Sequence, residues 1–115
     1  MEKQDLEKRT KEFSLAVIKF VASLPNTRVA DVLGRQLLKC GTSIGANYRE
    51  ANHAESRADF IHKIGIIEKE ASETQYWLEL YDGSELGEPE KRRVLMKEAS
   101  ELVAIFTSIG RSTKK

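Results

Sequence analysis

At 115 residues, with 32% charged and 40% hydrophobic side chains, the chain is long enough to bury a core without disulfides or metals, and it reads as a single domain over 1–115. Nineteen basic against eighteen acidic residues leave a net charge of +1, which excludes a globally basic nucleic-acid binder and puts any such role on local charge placement. No apolar run approaches the roughly 18 residues of a membrane span, the charged start Met1-Glu2-Lys3-Gln4-Asp5 predicts no signal peptide, and a lone Cys40 permits no internal disulfide, so the expectation is a soluble cytoplasmic protein with no membrane partner.

Helix one is expected at about 5–23. Leu6, Thr10, Phe13, Val17, Phe20 and Leu24 step by four and three, a heptad seam. Pro25 disfavours helical geometry at the residue before it, and Asn26 or Thr27 then caps the next helix. Helix two is expected at about 28–53, with a core stripe of Val29, Leu33, Leu37, Cys40, Ile44 and Ala51 interrupted by Asn47. Each interior glycine costs roughly 1 kcal/mol against alanine, which leaves open whether the helix survives Gly41-Thr42-Ser43. Gly34, Leu38, Gly41 and Gly45 nevertheless fall on one side strip, where small residues let another helix backbone approach, and this favours a continuous helix.

Ser56-Arg57-Ala58-Asp59 has the form of a capping box and opens helix three, at about 56–82. Its seam is Phe60, Ile64, Ile67, Ala71, Thr74, Leu78 and Tyr81, with Gly83 expected as a left-handed cap. Helix four, at about 89–109, starts at Pro89 with Glu88 and Glu90 at the positive end of its dipole. Leu95, Ala99, Leu102, Phe106 and Ile109 form its seam, Gly110 is expected to close it, and the tail 111–115 to fray. Four amphipathic helices joined by short links predict an all-α, antiparallel up-down-up-down four-helix bundle.

A second strip on helix three, Asp59, Lys63, Ile66, Glu70 and Trp77, carries more apolar surface than one bundle needs. Together with Leu38, Gly41 and Gly45 of helix two, the residues Lys63, Ile66, Glu70 and Trp77 are therefore candidates for a subunit interface. The plainer alternative lays Trp77 over a seam within one chain.

Catalysis and cofactors find little support. Glu50-x-x-His53 and Asp59-x-x-His62 have acid-x-x-His spacing, but they flank the hairpin hinge and lack carboxylates from the other two helices, so no metal is expected. Cys40 lies on the core stripe, where cysteine acts as a small hydrophobe, and Gly41-x-x-x-Gly45 lacks the lysine of a phosphate loop. The expectation is a protein that is not an enzyme and needs no cofactor.

Charge placement is more informative. Arg28, Arg35, Lys39 and Arg49 fall within about an 80° arc opposite the apolar stripe of helix two, with Asp31 and Glu50 at its edges. Such a stripe suits a phosphate backbone; the alternative is an ordinary solvated face that also pairs with acids on a neighbour. Tyr48 and His53 are candidates for base stacking, Tyr48 equally for core packing.

The run Thr42-Ser43-Ile44-Gly45-Ala46-Asn47-Tyr48-Arg49-Glu50-Ala51, followed by Ser56, Asp59-Phe60, Lys63, Glu68, Glu70-Ala71, Glu73-Thr74 and Tyr76-Trp77-Leu78, resembles the four-helix-bundle proteins encoded in intervening sequences of bacterial 23S ribosomal RNA genes, the S23 ribosomal protein-like family. The likeness spans about 6–109. More distantly the chain is similar to the accessory variability proteins of diversity-generating retroelements, which form pentameric barrels and bind RNA and a reverse transcriptase. The resemblance implies a bacterial cytoplasmic bundle, a ring-like homo-oligomer with five copies, and association with RNA; the rival reading is a protein-interaction scaffold whose ring presents the acidic surface of helix three to a partner protein. It also implies that Arg49, Glu50, Ser56, Lys63, Glu68 and Glu70 are polar anchors of the hairpin and of subunit contacts.

Overall fold

The computed structural model describes residues 1–114. Four α-helices follow one another, α1 (Lys3–Ala22), α2 (Arg28–Ala51), α3 (Arg57–Gly83) and α4 (Pro89–Thr113), packed as an antiparallel bundle of about 44 × 20 × 20 Å.

The seam residues Leu6, Thr10, Phe13, Val17 and Phe20 of α1 are all buried, as their four-three spacing requires. Ser23 and Pro25 stop the helix, and Thr27 rather than Asn26 caps α2, its hydroxyl accepting the Ala30 amide at 3.1 Å. Helix α2 runs unbroken through Gly41-Thr42-Ser43, and the Thr42 and Ser43 hydroxyls donate to the carbonyls of Leu38 and Lys39 one turn back. The glycine strip explains the continuity. A Cβ at Gly41 would lie 3.1 Å from Val17, and one at Gly45 would lie 3.2 Å from Thr10, so α1 of the same chain rests on these glycines.

The core stripe of α2 departs from expectation at its N-terminal end. Val29 is 58% exposed and Leu33 only half-buried, while Ala30 and Gly34 take the inner positions. The cause is crowding: a Cβ at Gly34 would already meet Val21 at 3.0 Å and the Tyr81 hydroxyl at 3.7 Å, so only the smallest residues fit there. Further along, Tyr48 fills the slot beside the half-buried Asn47 and meets Phe106 edge-on at 5.4 Å.

The seam of α3 is buried from Ile64 to Tyr81, with Phe60 half-buried at its start. Ser56 accepts the Asp59 amide at 3.0 Å, while the Asp59 carboxylate accepts the Glu55 amide at 3.3 Å, one residue before the cap. At the other end Gly83 is still helical. The left-handed cap is Glu85 (φ 55°), and the bonds from the Leu86 amide to the Tyr81 carbonyl and from the Glu85 amide to the Asp82 carbonyl complete a Schellman motif. Gly87 (φ 82°) is needed for a different reason: a Cβ there would sit 2.4 Å from the Phe20 ring.

Pro89 opens α4, and the Glu88 carboxylate caps it by accepting the amides of Glu90 and Lys91 at 3.0 Å each. Leu95, Ala99, Leu102 and Phe106 are buried and Ile109 half-buried. Gly110 does not close the helix, which continues to Thr113; it is buried beneath the Glu68 carboxylate, an α3–α4 contact that a Cβ would obstruct. The helical course to Thr113 replaces the fraying expected of the tail, of which Lys115 lies outside the described residues. Among the described residues no helix is long and apolar enough to cross a membrane.

Candidate nucleic-acid interface and subunit surface

The four cations singled out on α2 share its solvent side. Arg28, Arg35, Lys39 and Arg49 are all exposed, and 21 residues of helix separate the first from the last, about 32 Å. Their electrostatic settings differ. Arg35 Nη2 pairs with Asp31 at 2.8 Å one turn earlier on the same helix. Lys39 lies close enough to Glu70 of α3 to pull that carboxyl's pKa down, although burial, reinforced by Glu73, wins and leaves Glu70 above the usual carboxylate range. Arg28 and Arg49 make no ion pair among the described residues. Arg49 stands where two surface hollows meet its helix. One is shared with Glu7, Lys11, Ser14, Gly45 and Ala46, and the other with Glu50, His53, Glu55, Asp59 and Lys63. Tyr48 is buried and packed on Phe106, so it is not available for base stacking, whereas His53 is exposed.

The residues expected at a subunit contact do not form one patch. Gly41 and Gly45 are buried against Val17 and Thr10 of α1 in the same chain, Gly45 at the edge of the hollow it shares with Arg49, so the close helix–helix approach that the strip signals lies inside the subunit. Leu38 is half-buried on the α1 side of α2, in a hollow shared with Val21 and Leu24. Lys63, Ile66, Glu70 and Trp77 lie half-buried on α3. Lys63 pairs with Asp59 at 3.3 Å, and the Trp77 indole N–H donates to Glu73 at 3.3 Å, its ring edge-on to the exposed Tyr76 at 5.4 Å.

Two features escaped the sequence reading. Val29, Val32, Tyr76 and Leu80 are exposed large apolar side chains. The antiparallel register, with Lys39 opposite Glu70 and Cys40 opposite Thr74, carries Val29 and Val32 to the same end of the α2–α3 pair as Tyr76, Trp77 and Leu80. Val29 steps by four to Leu33 and Leu37 and so mimics a core position, and only the tight fit at Gly34 reveals that it faces outward. Arg92 is the second: nearly fully buried, it pairs with Asp82 at 3.3 Å and donates to the carbonyls of Leu86 and Gly87 at 3.0 and 2.7 Å. A single arginine early in a charged helix start gives no signal of that clamp.

Of the residues that the resemblance marked as anchors, Ser56 caps the start of α3, and the Glu68 carboxylate lies against Gly110 of α4. Burial pushes the Cys40 thiol up, consistent with a packed side chain. Among the described residues no cluster of His, Cys, Asp and Glu has metal-binding geometry, and Asp59 is engaged by Lys63 and the Glu55 amide.

No curated protein matches the chain. Among solved structures it is similar to a protein of unknown function from the S23 ribosomal protein family of Bacteroides thetaiotaomicron, at 38% identity over 96% of this chain and 99% of the other, with a TM-score of 0.87. Residues 2–108 match the 23S rRNA-intervening sequence protein family. Matched over nearly its whole length and in its fold, the chain belongs to the 23S rRNA-intervening sequence protein family.

Proposed function

We propose that the protein is a non-catalytic, homo-oligomeric bundle that binds structured RNA, or an RNA–protein complex, through the solvent face of α2. The observation that carries this reading is the row of four exposed cations, Arg28, Arg35, Lys39 and Arg49, along about 32 Å of one rigid helix. Arg28, Arg35 and Lys39 contact phosphates, and Arg49 either joins them or pairs with an acid of a neighbour. Repetition of the row around a ring of five copies compensates for the small net charge of each chain. The ring is built through the flank of α3 beside α2 at Lys63, Ile66, Glu70 and Trp77, where half-buried apolar and charged groups lie together. Three to four phosphate contacts per site give a slope of log affinity against log salt of about −3. The double variant Arg35→Glu with Lys39→Glu, at two exposed positions, is expected to abolish RNA binding while the circular dichroism spectrum stays that of the parent. Unchanged affinity removes the proposal.

A second reading is a protein-interaction scaffold with no nucleic-acid role. The exposed Val29, Val32, Tyr76 and Leu80 beside Trp77 favour it. Pull-downs with and without nuclease separate the two, since a protein held by that apolar end stays bound when RNA is digested.

A further inference from the structure

The cationic face of α2 is interrupted between Lys39 and Arg49. Residues 40–48 carry no charge, which leaves a gap of about 15 Å along the helix. The neighbouring helix stands beside that gap. Gly45 admits α1 so closely that a Cβ there would lie 3.2 Å from Thr10, and Lys11, the next residue of α1, is exposed. A hollow of about 300 Å³ opens at this point, lined by Gly45, Ala46 and Arg49 of α2 and by Glu7, Lys11 and Ser14 of α1. Two cations stand there against one acid. Lys11 and Arg49 form no ion pair among the described residues, while the Glu7 carboxylate accepts a hydrogen bond from the Asn52 side chain at 2.8 Å. The hollow on the other flank of Arg49 has no such surplus, because Glu50, Glu55 and Asp59 share it with Lys63 and His53. An anion drawn to Arg49 is therefore favoured on the α1 side.

We propose that Lys11 and Arg49 grip one phosphate of a bound RNA strand in this hollow, so that the RNA path crosses from α2 onto α1 at Gly45. This path depends on the RNA reading of α2 and extends it to a second helix. Cations on two separate helices hold the phosphate from both sides, Arg49 through its fork of N–H donors and Lys11 as a point charge. The small residues Gly45 and Ala46 leave room for the sugar–phosphate backbone to approach. Ser14 adds no donor, since its hydroxyl already donates to the Thr10 carbonyl at 3.1 Å.

The test is a titration of the full chain into a fluorescein-labelled RNA stem-loop, read by anisotropy over a range of salt. Lys11→Glu and Lys11→Ala are compared with Lys91→Glu. Lys91 is exposed on α4, which packs on α1 and α3 but not on α2, so its replacement makes the same charge change away from the α2 face. Lys11→Glu is expected to weaken binding by about tenfold or more, and Lys11→Ala to lower the magnitude of the salt slope by about 1. Lys91→Glu is expected to change affinity by less than about twofold. Glu7→Gln keeps the acceptor for Asn52 while removing the acid, and is expected to tighten binding. Equal losses in Lys11→Glu and Lys91→Glu mean that net charge alone is sensed, and overturn the proposal. Unchanged affinity in Lys11→Glu, while Arg35→Glu with Lys39→Glu abolishes binding, also overturns it and leaves the α2 reading standing. No binding of the stem-loop by the parent chain removes both.

Discussion

Gly45→Ala isolates the packing of α1 on α2. In an unobstructed helix interior, alanine is favoured over glycine by roughly 1 kcal/mol. At Gly45 the new Cβ lies 3.2 Å from Thr10 Oγ1 and 3.3 Å from both the Thr10 carbonyl carbon and Cβ. Thr10 cannot turn aside, since its hydroxyl bonds to the Leu6 and Glu7 carbonyls at 2.9 and 3.0 Å and the residue is fully buried. The backbone of α1 must retreat, an overpacking cost of about 1–3 kcal/mol. The net expectation is a loss of about 1 kcal/mol, the propensity gain being outweighed. Gly65→Ala is the matched control: Gly65 is exposed within α3 with nothing within 4 Å of its Cβ position, so the same substitution should gain about 1 kcal/mol. Urea unfolding of both variants, monitored by far-ultraviolet circular dichroism, should show midpoints displaced in opposite directions with unchanged slopes. If Gly45→Ala stabilises as much as Gly65→Ala, the close approach of α1 is wrong.

Tyr81 is fully buried with its ring edge-on to Phe20, its hydroxyl has no hydrogen-bond partner among the described residues, and burial pushes its pKa up to about 12. Tyr81→Phe should therefore hold or raise stability, by up to about 1–2 kcal/mol; a clear loss in thermal unfolding would mean that the hydroxyl is satisfied. Glu85→Gly relieves the left-handed backbone at φ 55° and should raise the thermal midpoint by the equivalent of about 0.5–1 kcal/mol; a lower midpoint would contradict the cap geometry. Glu70 is held above the usual carboxylate range, first by burial and then by Glu73. The folded state therefore keeps that proton more tightly than the unfolded state, and stability falls as pH rises from the ordinary carboxylate value through the raised one. Glu70→Gln should flatten that part of a pH–stability curve and raise stability at neutral pH, and an unchanged curve would count against the shift.

The bundle was legible because burial on one face leaves a four-three signature. Four of the five seam positions expected in α4, Leu95, Ala99, Leu102 and Phe106, are buried, as is α3 from Ile64 to Tyr81. Capping chemistry narrowed the start of α2 to Asn26 or Thr27, of which Thr27 is the cap, and marked Ser56 and Pro89 for the same reason: each satisfies or removes orphan amides at a helix start. The errors cluster where periodicity carries no information. Glycines at helical spacing signal a close neighbour without saying whether it belongs to the same chain, and at Gly41 and Gly45 that neighbour is α1. Val29 and Leu33 look more like core than Ala30 and Gly34 do, and only the bulk of Val21 and Tyr81 across the bundle reverses the choice. The cationic face of α2 was readable because exposed charge, like burial, follows helical geometry, whereas the grip of Asp31 on Arg35 and the nearness of Glu70 to Lys39 depend on rotamers and on a second helix.

Native mass spectrometry of the protein purified at low salt without nuclease tests the central claim most directly. The account predicts a mass of five chains plus additional mass that nuclease removes, and loss of that addition in the Arg35→Glu, Lys39→Glu double variant. A monomer free of nucleic acid would contradict both the ring built on Ile66 and Trp77 and the RNA-binding role of α2.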